Sequence, residues 1–500
     1  MSFLNDLNPV QREAVKAVDG PVMIIAGAGS GKTRVLTYRA AYLISLGVRP
    51  DALLALTFTN KAAEEMKSRI AALVGPLRRS VWMGTFHSMC ARLLRMDCEV
   101  IGFQRNFTIY DSDDSLGLIR EIMQDSGISQ QQFSPQAIRS RISHAKNSMM
   151  APDAMRDGAR DPLSERAAAV FQEYEKKLRR NNAMDFDDLL LKPLELFVAR
   201  PDILERYHYR FKYILVDEYQ DTNRVQYRLI RELGRAHRNI CVVGDDAQSI
   251  YAFRGADIRN ILDFEKDYPD CKVFRLEQNY RSTKAILATA DSIIKHNLGQ
   301  ITKNLWTENP EGDHVTLSVC EDDREEGLLI VNRLEEESRK RKLDLKEFAV
   351  LYRTNAQSRS LEDALRRNGI PYRIVGGVAF YKRKEIKDVL AYMRVIANPR
   401  DDESILRVIN VPGRGIGATT VRKLRGFASA RSLPLLEALG AADFPSDIAA
   451  RTMSALRGFH TMIRKYIQLR SEISVSELAR TLVDEIGILQ TLKAENTAES

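Results

Sequence analysis

A chain of 500 residues, with 44% apolar and 28% charged side chains, is too long for one hydrophobic core and suggests roughly three or four units of about 150 residues. Its formal charge of +8 favours an anionic partner without naming one. Five cysteines (Cys90, Cys98, Cys241, Cys271, Cys320) form no C-x-x-C pair, which argues against a zinc ribbon or a disulfide framework and for a reducing compartment. The N-terminus lacks the charge and apolar run of a signal peptide, and no membrane-spanning stretch is present, so a cytoplasmic protein without membrane contact is expected.

The chain opens on a helix start, with Asn8 as cap and Pro9 in the first turn. Gln11 follows on that turn, where its carboxamide can read the N6/N7 edge of adenine or simply face solvent. The apolar run from Val22 then breaks into Ala26, Gly27, Ala28, Gly29, Ser30, Gly31, Lys32 and Thr33, with Arg34 behind. Glycines here let successive N–H groups turn inward on phosphate oxygens, and the next helix adds its positive end. Lys32 is expected to reach the β/γ-phosphates and Thr33 to hold Mg²⁺. Ala26 stands where the G-x-x-x-x-G-K-[ST] pattern begins with glycine.

A helix over 34–46 and a strand over 53–58 continue a βαβ rhythm, the signature of a parallel sheet. That strand empties into Phe58, Thr59 and Asn60, and the apolar run after Val81 empties into Thr85, Phe86 and His87. Rings beside hydrogen-bond donors at strand C-termini suit a single-stranded nucleic-acid track, although either Phe also reads as a core residue. From Met89 to Asn182 the pattern is amphipathic and helical, including 113–124 and 164–180. Arg139, Arg141, His144 and Lys146 cluster within it, as a phosphate-facing patch or a solvated face.

The sheet resumes at Phe211–Val216 and delivers Asp217 and Glu218. Asp217 is expected to hold Mg²⁺ and Glu218 to orient and deprotonate the attacking water. Because adjacent strand residues face opposite ways, the two can share a pocket only where the strand frays. A further strand, Ile240–Gly244, opens into Gln248, Tyr251, Phe253 and Arg254. Gln248 can sense the γ-phosphate while Tyr251 or Phe253 touches a base, a physical route for coupling two ligands. Another strand, from Val273, leads to Tyr280, a candidate for stacking on adenine, and Arg281, a candidate for stabilising charge on the transferred phosphoryl group.

Seven stretches in order, namely Gln11, Ala26–Thr33, Thr57–Ala63, Gly84–Ser88, Val216–Asp221, Val243–Tyr251 and Gln278–Ser282, resemble the motifs of UvrD/Rep/PcrA-type superfamily 1 DNA helicases. The resemblance implies an α/β P-loop NTPase with tandem RecA-like parallel sheets and two mainly helical insertions. It implies ATP-driven 3′ to 5′ movement on single-stranded DNA, unwinding at single/double-strand junctions, a role in DNA repair or replication with protein partners from those processes, and a monomer or transient dimer. Residues 1–88 and 183–282 are expected to form the first RecA-like domain, with 89–182 inserted. Residues 283–378 resemble the start of the second, with strand candidates at 315–320, 348–352 and 372–375 and a helix at 361–368. Residues 379–500 read as the second helical insertion. Within it Val411–Gly417 is similar to the family's duplex-contacting hairpin, Gly415 and Gly417 presenting backbone N–H groups to phosphate, or else is a helix–helix turn.

The family completes its second RecA-like domain with two later motifs, one carrying an arginine for the γ-phosphate, and nothing after Gly417 resembles either. The second RecA-like domain is therefore expected to be incomplete. Two readings follow: a helicase and ATP hydrolase, or a truncated ATP- and DNA-binding module with little or no turnover.

Overall fold

The computed structural model describes residues 2–75, 80–375, 381, 383–441 and 448–495. Contacts divide the chain into one unit of 1–312 with 391–500 and a second of 313–390.

Among the described residues of the first unit eight strands form: β1 Val22–Ala26, β2 Leu53–Thr57, β3 Trp82–Thr85, β4 Thr108–Tyr110, β5 Ala183–Asp185, β6 Tyr213–Val216, β7 Ile240–Gly244 and β8 Lys272–Leu276. Six make one sheet in the order β3-β2-β6-β7-β1-β8, every pair parallel. The strand sequences are near-continuous apolar runs because the sheet is covered on both faces. Alternate residues serve opposite cores: Met23, Ile25, Leu54, Leu56, Ile214, Val216 and Val242 join one cluster, while Val22, Ile24, Leu53, Ala55, Leu215, Cys241 and Val243 join the other. Parallel strands with helical crossovers bring the ends of all six to one edge, where ligands of such sheets bind.

The first helical insertion is built from Ser112–Asp125, Pro135–Asn147, Pro152–Asp157 and Pro162–Arg180, around Leu118, Ile122, Ile142, Phe171 and Tyr174. A feature the periodicity did not suggest roots it: β4 and β5 pair in parallel at its base. Of the four basic residues there, Arg141 and His144 are exposed, as a solvated face requires, but Lys146 fits neither reading. Lys146 is buried, with Nζ 2.7 Å from Glu175, 2.9 Å from Asp185 and 2.9 Å from Asp188, so its charge is neutralised inside the domain and faces no phosphate. The helices after residue 390 pack on this insertion within the same unit. Tyr110 donates to Asp401 Oδ1 at 2.7 Å, and the Asn398 amide donates to Thr108 Oγ1 and to the carbonyls of Asn181 and Asn182 at 2.9–3.1 Å. No described helix is long and apolar enough to cross a membrane.

In the second unit, Asp323–Arg341 packs against Ser358–Arg367 over Val331, Ala364 and Leu365. Gly327 permits the approach, since a Cβ there would come within 3.0 Å of the Ala364 methyl. The strands expected at 315–320, 348–352 and 372–375 do not pair: among the described residues this unit contains no ladder. Leu317 and Val319 are 89% exposed and Leu351 93%. A strand exists only through its neighbour's hydrogen bonds, so β-like sequence without a partner stays irregular. Of the expected domain junction, residues 376–380 and 382 lie outside the described residues, as does the terminal stretch 496–500.

Candidate functional site

The cradle follows β1. Gly29 and Gly31 have φ of +69° and +93°, and a Cβ on Gly29 would sit 2.8 Å from that of Arg281, so both conformation and space demand glycine. The next helix, Lys32–Ser45, has no side-chain cap. The helices starting near Asn8, Thr59, Thr85 and Asn223 all have one. Its first N–H donors are therefore left for an anion.

Opposite the cradle, β6 ends at Val216 and the chain turns sharply, Glu218 adopting φ +50°. This left-handed residue resolves the alternation problem: beyond the strand end, Asp217 and Glu218 both face the cradle. Lys32 Nζ donates to Glu218 Oε2 at 2.9 Å and to Gln248 Oε1 at 3.3 Å. Thr33 Oγ1 lies 3.4 Å from Asp217 Oδ2. Burial, reinforced by Glu218, pushes the Asp217 carboxyl up to about 6. A buried carboxylate short of positive charge beside a threonine hydroxyl is a donor pair that fits Mg²⁺.

Arg281 is exposed, with its backbone N–H bound to Asn279 Oδ1 at 2.8 Å, while Asn279 Nδ2 donates to the Ala28 carbonyl at 2.6 Å and Tyr280 N to the Gly29 carbonyl at 3.0 Å. The tyrosine and arginine are thus strapped beside the glycines. Gln11 is buried, its Oε1 accepting from Asn8 N at 3.2 Å and its Nε2 donating to the Ser30 carbonyl at 2.9 Å. In this structure its amide braces the cradle. Arg34 turns away, donating to the Asp6 carbonyl at 2.7 Å.

The second cluster lies on the same sheet edge. Phe58 stacks parallel to Tyr251 at 6.5 Å, Tyr251 lies 6.0 Å from Phe253, and Arg254 covers both rings of that pair. Phe58, Tyr251 and Arg254 line a cleft of about 260 Å³ that also takes in Thr85, Phe86, His87, Asn147 and Asp221, with Phe253 beside Tyr251. Thr59 and Thr85 cap helices, accepting from Ala62 N and Ser88 N, and Asn60 is exposed on the first turn. His87 packs edge-on to Phe186, and burial lowers its pKa. Of the two readings of Phe86 the core one fits better: it borders the cleft but is 2% exposed and packs edge-on to Phe58 within the core.

The glycine-rich stretch is likewise a helix–helix turn, between Asp402–Val408 and Ala418–Ala430. Asn410 Oδ1 accepts from the N–H groups of Arg414 and Ile416, so no hairpin ladder forms there. Gly415 (φ +73°) and Gly417 both face open space.

Sequence reasoning passed over three residues that bind the pocket together. Gln220, buried, donates to Glu218 Oε2 at 3.0 Å and Asp221 Oδ2 at 3.2 Å while accepting from Asp245 N at 3.0 Å. Asp245 Oδ2 accepts from Gln248 Nε2 at 2.5 Å. Lys303 ion-pairs with both Asp245 and Asp246. Gln220 stood inside a recognised stretch, whereas Lys303 lies in a loop with no local signal.

The parallel sheet, glycine cradle and acidic strand end define an α/β protein of the P-loop nucleotide-binding class. Residues 7–269 match the UvrD/REP helicase N-terminal domain and residues 274–442 the UvrD-like helicase C-terminal domain. The chain belongs to the UvrD/REP family of ATP-dependent DNA helicases. It is 46% identical over 499 residues to the ATP-dependent DNA helicase PcrA of Bacillus subtilis strain 168, covering 100% of this chain and 67% of that protein. The PcrA proteins of Staphylococcus aureus strain Mu50 and Staphylococcus epidermidis are 44% and 45% identical over 500 residues, with 100% of this chain and 68% of theirs covered. The chain thus spans about two thirds of the length of these relatives.

Proposed function

We propose that the chain hydrolyses ATP to drive movement along single-stranded DNA and strand separation, in the 3′ to 5′ direction by its family likeness. The observation that carries this is the meeting of Lys32, Thr33, Asp217, Glu218 and Gln248 within 3.4 Å contacts at one sheet edge, beside an open aromatic cleft on the same edge.

The cradle amides and Lys32 hold the phosphates, while Glu218 takes the proton of the attacking water. Thr33 and Asp217 are the residues that would hold Mg²⁺, which when bound neutralises charge on the β- and γ-phosphates. Here Glu218 rests on Lys32, so arrival of phosphate competes for the lysine and frees the carboxylate for water. Tyr280 lies beside the cradle for the base, and Arg281 can swing to the phosphoryl group. Phe58, Tyr251 and Phe253 stack bases and Arg254 meets the phosphodiester backbone, which makes binding salt-dependent and largely blind to sequence. Phosphate release by this chain with and without oligothymidylate tests the reading, Glu218→Gln serving as zero. Release that DNA does not stimulate would argue against it.

A second reading rests on the unpaired apolar segments of the second unit. On it the chain binds nucleotide and DNA but turns over little or not at all. The same assay beside a longer chain separates the two: release confined to the longer chain favours the binding module.

A further inference from the structure

We propose that Lys303 is a positioning residue for hydrolysis, holding the Gln248 carboxamide on Lys32 by way of Asp245. This deepens the motor reading and rests on it. Lys303 is 10% exposed and spans two carboxylates, those of Asp245 and Asp246, that are 3% and 0% exposed. Asp245 Oδ1 takes Lys303 and the Ala247 N–H, which leaves Oδ2 for Gln248 Nε2. With its nitrogen fixed on Asp245 Oδ2, the Gln248 amide has one orientation, Oε1 towards Lys32 Nζ. Remove the cation, and two buried carboxylates on adjacent residues lose the ion-pair partner that holds them together. Asp245 then no longer dictates which way the amide points.

Lys303 is itself held by a strap laid across the sheet edge. Ile301 N donates to Asp246 Oδ2 at 2.8 Å, Asn304 N to Glu277 Oε1 at 2.9 Å, and Trp306 N to the Glu277 carbonyl at 3.1 Å. Asn279 N in turn donates to the Trp306 carbonyl at 2.8 Å. Leu305 lies on the cradle itself, where a Cβ on Gly27 would meet its methyl at 2.2 Å. The strap therefore touches the glycine cradle, the segment before Tyr280 and Arg281, and the Asp245–Gln248 turn at once, and it runs on into the second unit at residue 313. A pull on it reaches the γ-phosphate side of the pocket through Lys303, with no contact to nucleotide required.

Four proteins decide this: wild type, Lys303→Met, Lys303→Arg and the double variant Lys303→Met/Asp245→Asn. Each is assayed for melting temperature, affinity for a fluorescent ATP analogue and kcat of phosphate release on oligothymidylate. Lys303→Met is expected to lower kcat about 10- to 100-fold with analogue affinity within about threefold. The arginine variant recovers most of the loss, and Asp245→Asn added to Lys303→Met costs little more, as expected of residues acting in series.

Unchanged kcat in Lys303→Met overturns the inference. So does a parallel fall of kcat and affinity that arginine does not relieve, since that marks a merely structural ion pair. Should Lys303→Met melt below the assay temperature, Asp245→Asn alone keeps the shape and must reproduce the kcat loss, and wild-type kcat there overturns the inference equally. Wild-type kcat in Lys303→Met refutes this inference alone, whereas DNA-stimulated release absent from the wild type refutes the motor reading and this inference with it.

Discussion

Two ligand sites share one sheet edge and are built in opposite ways. In the nucleotide pocket almost every functional side chain is already held: Lys32 by Glu218 and Gln248, Gln248 by Asp245, Glu218 by Gln220. Beside the aromatic cleft Phe253 is 75% exposed, its ring 6.0 Å from that of Tyr251 and 5.4 Å from the Arg254 guanidinium. The difference follows from the chemistry each must do. Stabilising charge on a phosphoryl group requires donors fixed in advance, whereas stacking on any base requires a free ring face and some slack. Asp221 stands at the seam: it lines the cleft, touches Gln220, and is pushed up to about 6 by burial and by Glu218.

The division between a braced pocket and an open cleft breaks if variants in one site impair the other equally. The largest separation is expected from Glu218→Gln, which should lower DNA-stimulated phosphate release by about 10³-fold while oligothymidylate affinity, read by anisotropy, moves less than about threefold. Phe86→Ala should cost about 3–5 kcal/mol of stability in a denaturant titration, because this ring fills the core under the cleft. Phe253→Ala should leave stability nearly unchanged and weaken single-strand binding by about 1–3 kcal/mol, with little effect on analogue binding. Comparable destabilisation by both phenylalanine variants would erase the distinction between cleft wall and cleft floor.

A control lies away from both sites, where burial raises the Asp402 carboxyl to about 7 although Leu435 N donates to it at 2.8 Å. Between about pH 4, where the unfolded carboxyl titrates, and pH 7, the folded state keeps a proton that the unfolded state has lost. Stability from this group therefore falls as pH rises through that window and stays low above it. Asp402→Asn should raise the melting temperature at pH 8, by the equivalent of about 1–3 kcal/mol, and far less at pH 5, without changing DNA-stimulated release at either pH. The smallest effects are expected in the glycine-rich turn. Gly415→Ala should cost about 1–2 kcal/mol because φ is +73°, whereas Gly417→Ala, at φ −85° in open space, should cost almost nothing. A loss of duplex affinity in Gly417→Ala alone would then report a ligand at that backbone.

What was legible ahead of the structure was local. Val22–Thr33 carries strand, turn and helix signals in twelve consecutive residues, and Tyr213–Glu218 carries a buried strand with its acidic end. Asn8 reads as a helix cap from its place before Pro9, and the structure contains that cap, whereas the buried Gln11 closing a capping box with it was not read from the sequence. What failed depended on partners distant in sequence. Lys146 read as surface cation until Asp185 and Asp188 came to meet it, and Phe86 read equally as a stacking ring or a core residue until the tertiary cluster buried it. The segments near Leu317 and Leu351 carry strand-like sequence, yet no ladder neighbour reaches them among the described residues.

The amino-acid sequence alone determined the nucleotide class, the order of the motifs and the family they belong to, because backbone conformation and phosphate chemistry are written in residues close together along the chain. Only the tertiary structure decided which rings are exposed, which charges are cancelled, and that Lys303, 55 residues beyond Gln248 in sequence, stands one carboxylate away from it. Burial and ion pairing are properties of three-dimensional neighbours, and a parallel sheet assembles those neighbours from strands far apart in the chain.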